Sequence, residues 1–196
     1  MFAQLRPAIV LVILFTALTG LAFPFAFVGL AGVIFPHQAG GSLIERDGKV
    51  VGSALIGQNF TSDKYFHGRP SATTDTDPAD STKTIPAPYN AAGSNASNLG
   101  PTSKALIDRV TADLANAGAK PVPGDAVTTS ASGLDPDISP GNADRQAARV
   151  AAARGLPEAQ LRQLISANTH GRLLGLIGEP RVNVLELNLA LDATKP

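Results

Sequence analysis

Few residues in this chain are spaced for chemistry, and those that are lack the neighbours the chemistry needs. Gly52 and Gly57 have the glycine spacing of a phosphate-binding loop. Gln58-Asn59, however, stand where a Lys-Ser/Thr pair would reach phosphate and Mg²⁺. Ser81 and Lys83 have the wrong spacing for a Ser-x-x-Lys nucleophile pair, and no Gly-x-Ser-x-Gly elbow occurs. His37, His67 and His170 are far apart and show no metal-ligand spacing. With no Cys, thiolate ligands, Cys nucleophiles and disulfides are excluded together. Asp75, Asp77 and Asp80 suggest a Ca²⁺ loop, but the Gly and the closing Glu of an EF-hand are missing, and a solvated acidic loop accounts for them better. No catalytic residue and no metal site is assigned.

Charge narrows the class further. Sixteen Lys+Arg balance 16 Asp+Glu. The resulting pI near 6.8 argues against an electrostatic nucleic-acid binder, which would carry a basic face.

The apolar residues are unevenly spread. Residues 7–35 contain no charge and are mainly Leu, Val, Ile, Phe, Ala and Gly. A bilayer core needs about 20 apolar residues in a helix, so this run is long enough to span even when tilted. The competing reading is a cleaved signal peptide, with Arg6 as its positive start and Gly20-Leu21-Ala22 as its cleavage site. Against that reading, the apolar run continues well past Ala22 without a polar segment. The positive flank at Arg6 places the N-terminus in the cytoplasm. The expected organisation is a cytoplasmic N-terminus (1–6), a transmembrane helix (7–35) and a soluble periplasmic domain (36–196). Pro24 should kink the helix. Ala22, Ala26 and Gly29 share one face, where small side chains admit a second helix.

The remainder reads as a small mixed α/β (α+β) domain with long loops. Asp47-Gly48 marks a hairpin turn within residues 42–60, whose second strand is expected to continue through Ala54, Leu55 and Ile56. Residues 69–100 show almost no periodicity. A helix is expected over 102–117, closed by Gly118. Residues 121–141 are irregular. Ser139-Pro140 then opens a helix that ends at Gly155, and Pro157 starts another. Leu185, Leu187, Leu189 and Leu191 alternate with less apolar residues, so 181–191 is expected to be a half-buried strand.

Four islands rich in turn residues interrupt these elements: Tyr65–Ser71, Tyr89–Ser94, Ser97–Ser103, and Ser132–Pro136 with Ile138-Ser139-Pro140. They are either well-made turns or a rigid surface presented to a partner. Arg69 offers a planar fork of donors. It suits either a partner's carboxylate or an internal one such as Asp135.

Four pieces occurring in order after a single membrane span carry a resemblance. They are Phe66-His67-Gly68-Arg69-Pro70-Ser71-Ala72, Ser97-Asn98-Leu99-Gly100-Pro101-Thr102-Ser103, Ser132-Gly133-Leu134-Asp135-Pro136 and the run from Gly178-Glu179-Pro180-Arg181 to Asn188. Together they resemble the C subunit of Kdp-type potassium-transporting ATPases, the KdpC family, over essentially the whole chain. Asn95-Ala96 and Asp137 depart from residues common in that family. The resemblance implies a non-catalytic accessory subunit of a bacterial inner-membrane complex. Its partners would be a potassium-channel-like subunit, an ATP-hydrolysing P-type subunit and a very small stabilising subunit. It implies a role in assembly and as a catalytic chaperone that raises ATP affinity, with ATP reached through the hydrolysing subunit and no cofactor assigned to this chain. His67, Arg69, Asn98, Asp135, Glu179 and Arg181 become the candidate docking or structural residues. The alternative is a membrane-anchored periplasmic hydrolase or ligand-binding domain, which would need a nucleophile-base pair or a metal cluster.

Overall fold

A computed structural model of the chain describes residues 2–117 and 121–194. It divides into two units between Val51 and Gly52.

The first unit is dominated by one continuous helix, Phe2–Ile34, long and apolar enough to cross a membrane and with none of its apolar window buried in the protein. It comprises α1 (Leu5–Ala17), a wide π turn (Leu18–Ala22) and α2 (Phe23–Ile34). Pro24 explains the π turn. It has no N–H to give the preceding turn, and its ring crowds a carbonyl there, so the backbone widens just ahead of it. Thr19 in that turn donates its hydroxyl to the Phe15 carbonyl at 2.7 Å. The helix stops at Phe35 (φ −131°), because the residue before Pro36 is pushed out of the helical region. A single turn, α3 (Pro36–Ala39), leads to the hairpin of β1 (Leu43–Arg46) and β2 (Lys49–Ser53). Asp47 and Gly48 both take positive φ, as a tight two-residue turn requires. The second strand ends at Ser53 rather than running on to Ile56, because the chain folds back there in a Ser53–Ile56 bridge.

The second unit contains β3 (Thr74–Asp77), β4 (Asp80–Pro86), α4 (Lys104–Asn116), β5 (Asp137–Ile138), α5 (Pro140–Arg154), α6 (Glu158–Ala167), β6 (Thr169–His170), β7 (Arg181–Asn183) and α7 (Val184–Ala193). A short antiparallel sheet in the order β5-β7-β6 supports the helices. Its Ile138 and Val182 meet Ala143, Ala147 and Val150 of α5, Leu161 and Ile165 of α6, and Val184, Leu187 and Leu191 of α7. Alanines at Ala143, Ala147 and Ala151 keep the α5 face thin where its neighbours pack. Helix α5 begins where expected: the Ser139 hydroxyl accepts from the Asn142 N–H at 3.1 Å, and Pro140 is the first helical residue. Gly155, at φ +67°, closes it.

Three further expectations are corrected. The half-buried strand over 181–191 is a strand only to Asn183 and then a helix. The Asn183 side chain accepts from the Glu186 N–H at 3.1 Å and caps that helix. Val184, Leu187, Asn188 and Leu191 face the core at helical spacing, which the alternating leucines concealed. Residues 69–100 are not structureless, since β3 and β4 pair antiparallel, with Thr74 opposite Pro86 and Thr76 opposite Thr84. That hairpin is polar on both faces, so no apolar alternation announces it. Within 121–141 lie a short 3₁₀ turn (Gly124–Ala126) and β5. Helix α4 covers Lys104–Asn116, and the expected stop at Gly118 lies outside the described residues.

The largest core side chain, Phe66, comes from a segment with no strand partner. Its N–H donates to Asn188 Oδ1 at 2.9 Å, and its carbonyl accepts from Asn188 Nδ2 at 3.0 Å. Asn188→Leu is isosteric enough to pack but leaves both backbone groups buried without partners, and should destabilise the protein by ~2–4 kcal/mol. Urea unfolding of the full chain in detergent measures this directly. A loss below ~1 kcal/mol would show that the amide is dispensable.

Candidate functional site

The Phe66–Ser71 motif continues a segment whose backbone is held almost entirely by side chains. Arg149 donates to the carbonyls of Asp63 (2.8 Å) and Tyr65 (3.0 Å), and Arg154 donates to that of Lys64 (2.7 Å). Asn188 serves Phe66. Gln146 then repeats the arrangement one residue on, accepting from the His67 N–H at 2.8 Å and donating to its carbonyl at 3.0 Å. The Tyr89 hydroxyl donates to the Arg69 carbonyl at 2.7 Å. Burial, followed by the nearby Asp135 charge, pushes the Tyr89 phenol up to about 12, so it stays a donor. Gly68 is required at this crossing, because a Cβ there would collide with the Tyr89 hydroxyl.

Arg69 and Asp135 are brought together, with Nη1 donating to Oδ2 at 2.9 Å. The other arm of the guanidinium reaches the carbonyls of Thr128 (3.5 Å) and Thr129 (3.4 Å). The second oxygen of Asp135 accepts from the Asp137 N–H at 3.0 Å, which ties the pair to the start of β5. Neighbouring islands join the same knot. The Ser71 hydroxyl donates to the Gly133 carbonyl at 2.7 Å and accepts from the Tyr89 N–H at 3.1 Å. The Asn95 N–H donates to the Ser132 carbonyl at 3.0 Å. Gly133 takes φ +69°, and a Cβ there would fall 2.6 Å from the Asn95 carbonyl oxygen.

The other candidates lie elsewhere. Arg181 pairs with Asp137 at 2.9 Å and so touches the knot from the sheet side. Burial outweighs that ion pair and raises the Asp137 carboxyl above its ordinary value. Glu179 pairs with Arg172 at 2.6 Å in the β6–β7 connection. Asn98 is an exposed left-handed turn residue apart from the knot. Ala22, Ala26 and Gly29 are exposed on the N-terminal helix, and open space surrounds Gly29. The glycines with phosphate-loop spacing serve packing instead. A Cβ on Gly52 would press on Leu185 at 2.6 Å, and one on Gly57 would fall 2.7 Å from the Asp135 carbonyl oxygen. Asp77 and Asp80 cap turns of the β3–β4 hairpin through the N–H groups of Ala79 and Thr82.

Beside the knot opens a cleft of about 660 Å³ whose lining includes His67, Arg69, Tyr89, Asn142, Arg145, Gln146 and Arg149. Arg145 donates to the Ala117 carbonyl (2.8 Å) and to Asn142 Oδ1 (3.1 Å), with no carboxylate in ion-pair range among the described residues. Burial lowers the His67 pKa, and the Arg149 and Arg145 charges push the same way. Its Nε2 contacts the Ser62 carbonyl at 3.0 Å, a contact that requires the proton on that nitrogen. The cleft is lined by three arginines, with the carboxylates of Asp63 and Asp113 also in its wall. Among the described residues no His, Asp, Glu or Cys group is arranged to hold a metal.

Motif order and architecture agree with a comparison to known proteins. The family model described as "KdpC: K+-transporting ATPase, c chain" matches residues 5–193, taking in nearly all of the N-terminal helix and of the second unit. The chain belongs to the KdpC family. It is 67% identical, over all of both chains, to the potassium-transporting ATPase KdpC subunit of Rhodopseudomonas palustris strain BisB18. It is 65% identical to that of Bradyrhizobium diazoefficiens and 66% to that of Methylobacterium nodulans, with 98% of each chain covered in both cases. A KdpC chain is an accessory subunit of a K⁺-transporting membrane ATPase, and the ATP-hydrolysing centre resides in another subunit.

Within this KdpC chain, residue-by-residue reasoning had found the ends of the knot but not its middle. Gln146, Arg149 and Arg154 lie outside every sequence motif, and Tyr89 and Asn188 lie in motifs that give them no role of their own. One signal was available. Asn188 interrupts a leucine-rich run and Gln146 lies in an alanine-rich helix, and a polar side chain on a buried face must have a polar target.

The geometry sets a test for Arg69. Both side chains of its pair with Asp135 are about one-quarter exposed. Arg69→Ala should cost ~1–2 kcal/mol of stability, and a double-mutant cycle with Asp135→Asn should return a coupling of ~1 kcal/mol. Unchanged stability with weakened subunit association would instead make Arg69 a partner contact.

Proposed function

We propose that this chain is the membrane-anchored, non-catalytic accessory subunit of a high-affinity potassium uptake ATPase, needed for assembly and raising the ATP affinity of the hydrolysing subunit. The observation that carries the reading is a family match that reaches from residue 5 in the membrane-length helix to residue 193 near the end of the second unit. The partners in this reading are a potassium-channel-like subunit, the P-type ATP-hydrolysing subunit and a small stabilising subunit. No cofactor is assigned to this chain, and ATP is reached through the hydrolysing subunit.

In the same reading the protein is a single-pass protein of the bacterial inner membrane. Residues 1–6 are cytoplasmic, 7–35 cross the bilayer, and 36–196 form the periplasmic part. The uncharged run and the positive flank at Arg6 support this orientation. A periplasmic domain cannot meet cytoplasmic ATP, so influence on nucleotide affinity must pass through the membrane helix. The face of Ala22, Ala26 and Gly29 is the contact proposed for that coupling, since small residues let a partner helix approach closely.

Two measurements test the reading. Ser81 is exposed on β4 and the chain has no native Cys, so Ser81→Cys is a clean probe. Intact cells with a permeable outer membrane should be labelled by an inner-membrane-impermeant thiol reagent. Labelling only after the inner membrane is broken would reverse the topology. In the reconstituted complex, Gly29→Leu should raise the KM for ATP at least ~3-fold, a bulky side chain at a packed face costing about 1–3 kcal/mol in all. An unaltered KM and unaltered assembly would remove the helix face from the mechanism.

A further inference from the structure

The connection between β6 and β7 presents an apolar tip that the protein itself does not use. Leu173, Leu174, Leu176 and Ile177 are 65%, 84%, 84% and 64% exposed, four large apolar side chains within five residues. Single exposed leucines are ordinary on a surface, but a contiguous group of this kind marks an interaction site.

This tip is built, not loose. Leu173 and Ile177 exchange both backbone hydrogen bonds, at 2.9 and 3.0 Å, and Leu176 and Gly175 donate to the carbonyls of Leu173 and Arg172 at 3.1 Å each. The Arg172–Glu179 ion pair clamps the base. Leu174, Gly175 and Gly178 all have positive φ. A leucine held in the left-handed region is strained, and here the strained residue is also almost fully exposed. Neither property serves the stability of the chain alone. Together they present an apolar side chain in a fixed position, which lowers the ordering cost of binding.

We infer that the Leu173–Ile177 tip docks into an apolar pocket on another subunit of the K⁺-transporting complex, an inference that rests on the reading of this chain as a subunit. Charge decides between a protein pocket and the bilayer surface. A loop that enters a membrane interface is expected to carry Trp or Tyr and a collar of unpaired basic residues facing anionic lipid. This tip has neither aromatic residue, and the two arginines at its base are each matched by a carboxylate, Arg172 by Glu179 and Arg181 by Asp137, while the His170 ring contacts Glu186 at 3.2 Å. A charge-balanced collar around a rigid apolar knob fits the polar rim and buried centre of a protein–protein contact.

The test uses the full-length chain, tagged and co-expressed with the other subunits. Leu174→Asp and Leu176→Asp should each reduce recovery of those subunits at least ~10-fold, as loss of a central apolar anchor does, while Leu176→Met retains them. The melting temperature of the uncomplexed chain in detergent should stay within ~2 °C of the parent, since the tip packs on nothing internal. A photo-crosslinking residue at position 174 should capture another subunit. Undiminished recovery with both Asp variants overturns the inference. Crosslinking to lipid alone, or loss of binding to phosphatidylethanolamine–phosphatidylglycerol vesicles with subunit recovery intact, assigns the tip to the bilayer and also overturns it. A lowered melting temperature in both variants assigns it to the chain's own fold, with the same consequence. If the unmodified chain recovers no other subunit, the subunit reading itself fails and the inference falls with it.

Discussion

One stretch of backbone, Asp63 to Arg69, runs from the surface at Asp63 and Lys64 through the buried Phe66 of the second unit without a strand beside it. A buried peptide group without a partner costs about as much as a lost hydrogen bond, so side chains must do what a sheet would do. Asn188 and Gln146 do so most directly. Each amide both accepts from and donates to a single residue, at Phe66 and at His67, in the manner of a neighbouring strand. Arg149, Arg154 and Tyr89 take the remaining carbonyls of Asp63, Lys64, Tyr65 and Arg69. Since Asn188 lies on α7, Gln146 and the arginines on α5, and Tyr89 in a distant loop, this one segment ties together most of the second unit.

The arrangement explains why so many chemically suggestive residues have structural work. Arg69 and Asp135 neutralise each other while fixing the Thr128–Thr129 loop and the start of β5. The close crossing at Tyr89 leaves no room for side chains at Gly57 or Gly68, and Gly133 is confined by Asn95 and Thr73. His67 is half-buried beside two guanidinium groups that oppose its protonation. A polar knot of this kind is stiff, because every group in it would lose a partner if any one moved. Such a knot holds the loops of this accessory subunit in one arrangement.

The two units illustrate opposite treatments of apolar residues. In the second unit the apolar side chains of α5, α6 and α7 are turned inward onto the short sheet. In the N-terminal helix none is buried within the protein, and the backbone is satisfied wholly within the helix, the arrangement a hydrocarbon environment demands. The π turn ahead of Pro24 is the local adjustment that keeps the helix continuous despite a missing donor.

Local patterns were sufficient for much of this. An uncharged apolar run of membrane length, the Asp47-Gly48 turn, the Ser139-Pro140 start and the Gly155 stop all act through neighbouring residues, so the amino-acid sequence by itself determined them. The ordered motifs likewise carried the family. Three things were decided only by tertiary structure. The leucines after Asn183 alternate as a strand would, but the Asn183 cap and a core seeking Val184, Leu187, Asn188 and Leu191 made them a helix. The β3–β4 hairpin has no apolar face and is defined by its ladder alone. Phe66 meets Asn188 and His67 meets Gln146 across long stretches of chain, and no short-range spacing records such a meeting. Hydrogen bonds between residues distant in sequence are chosen by which buried groups would otherwise be left unpaired, a condition that exists only once the chain is folded.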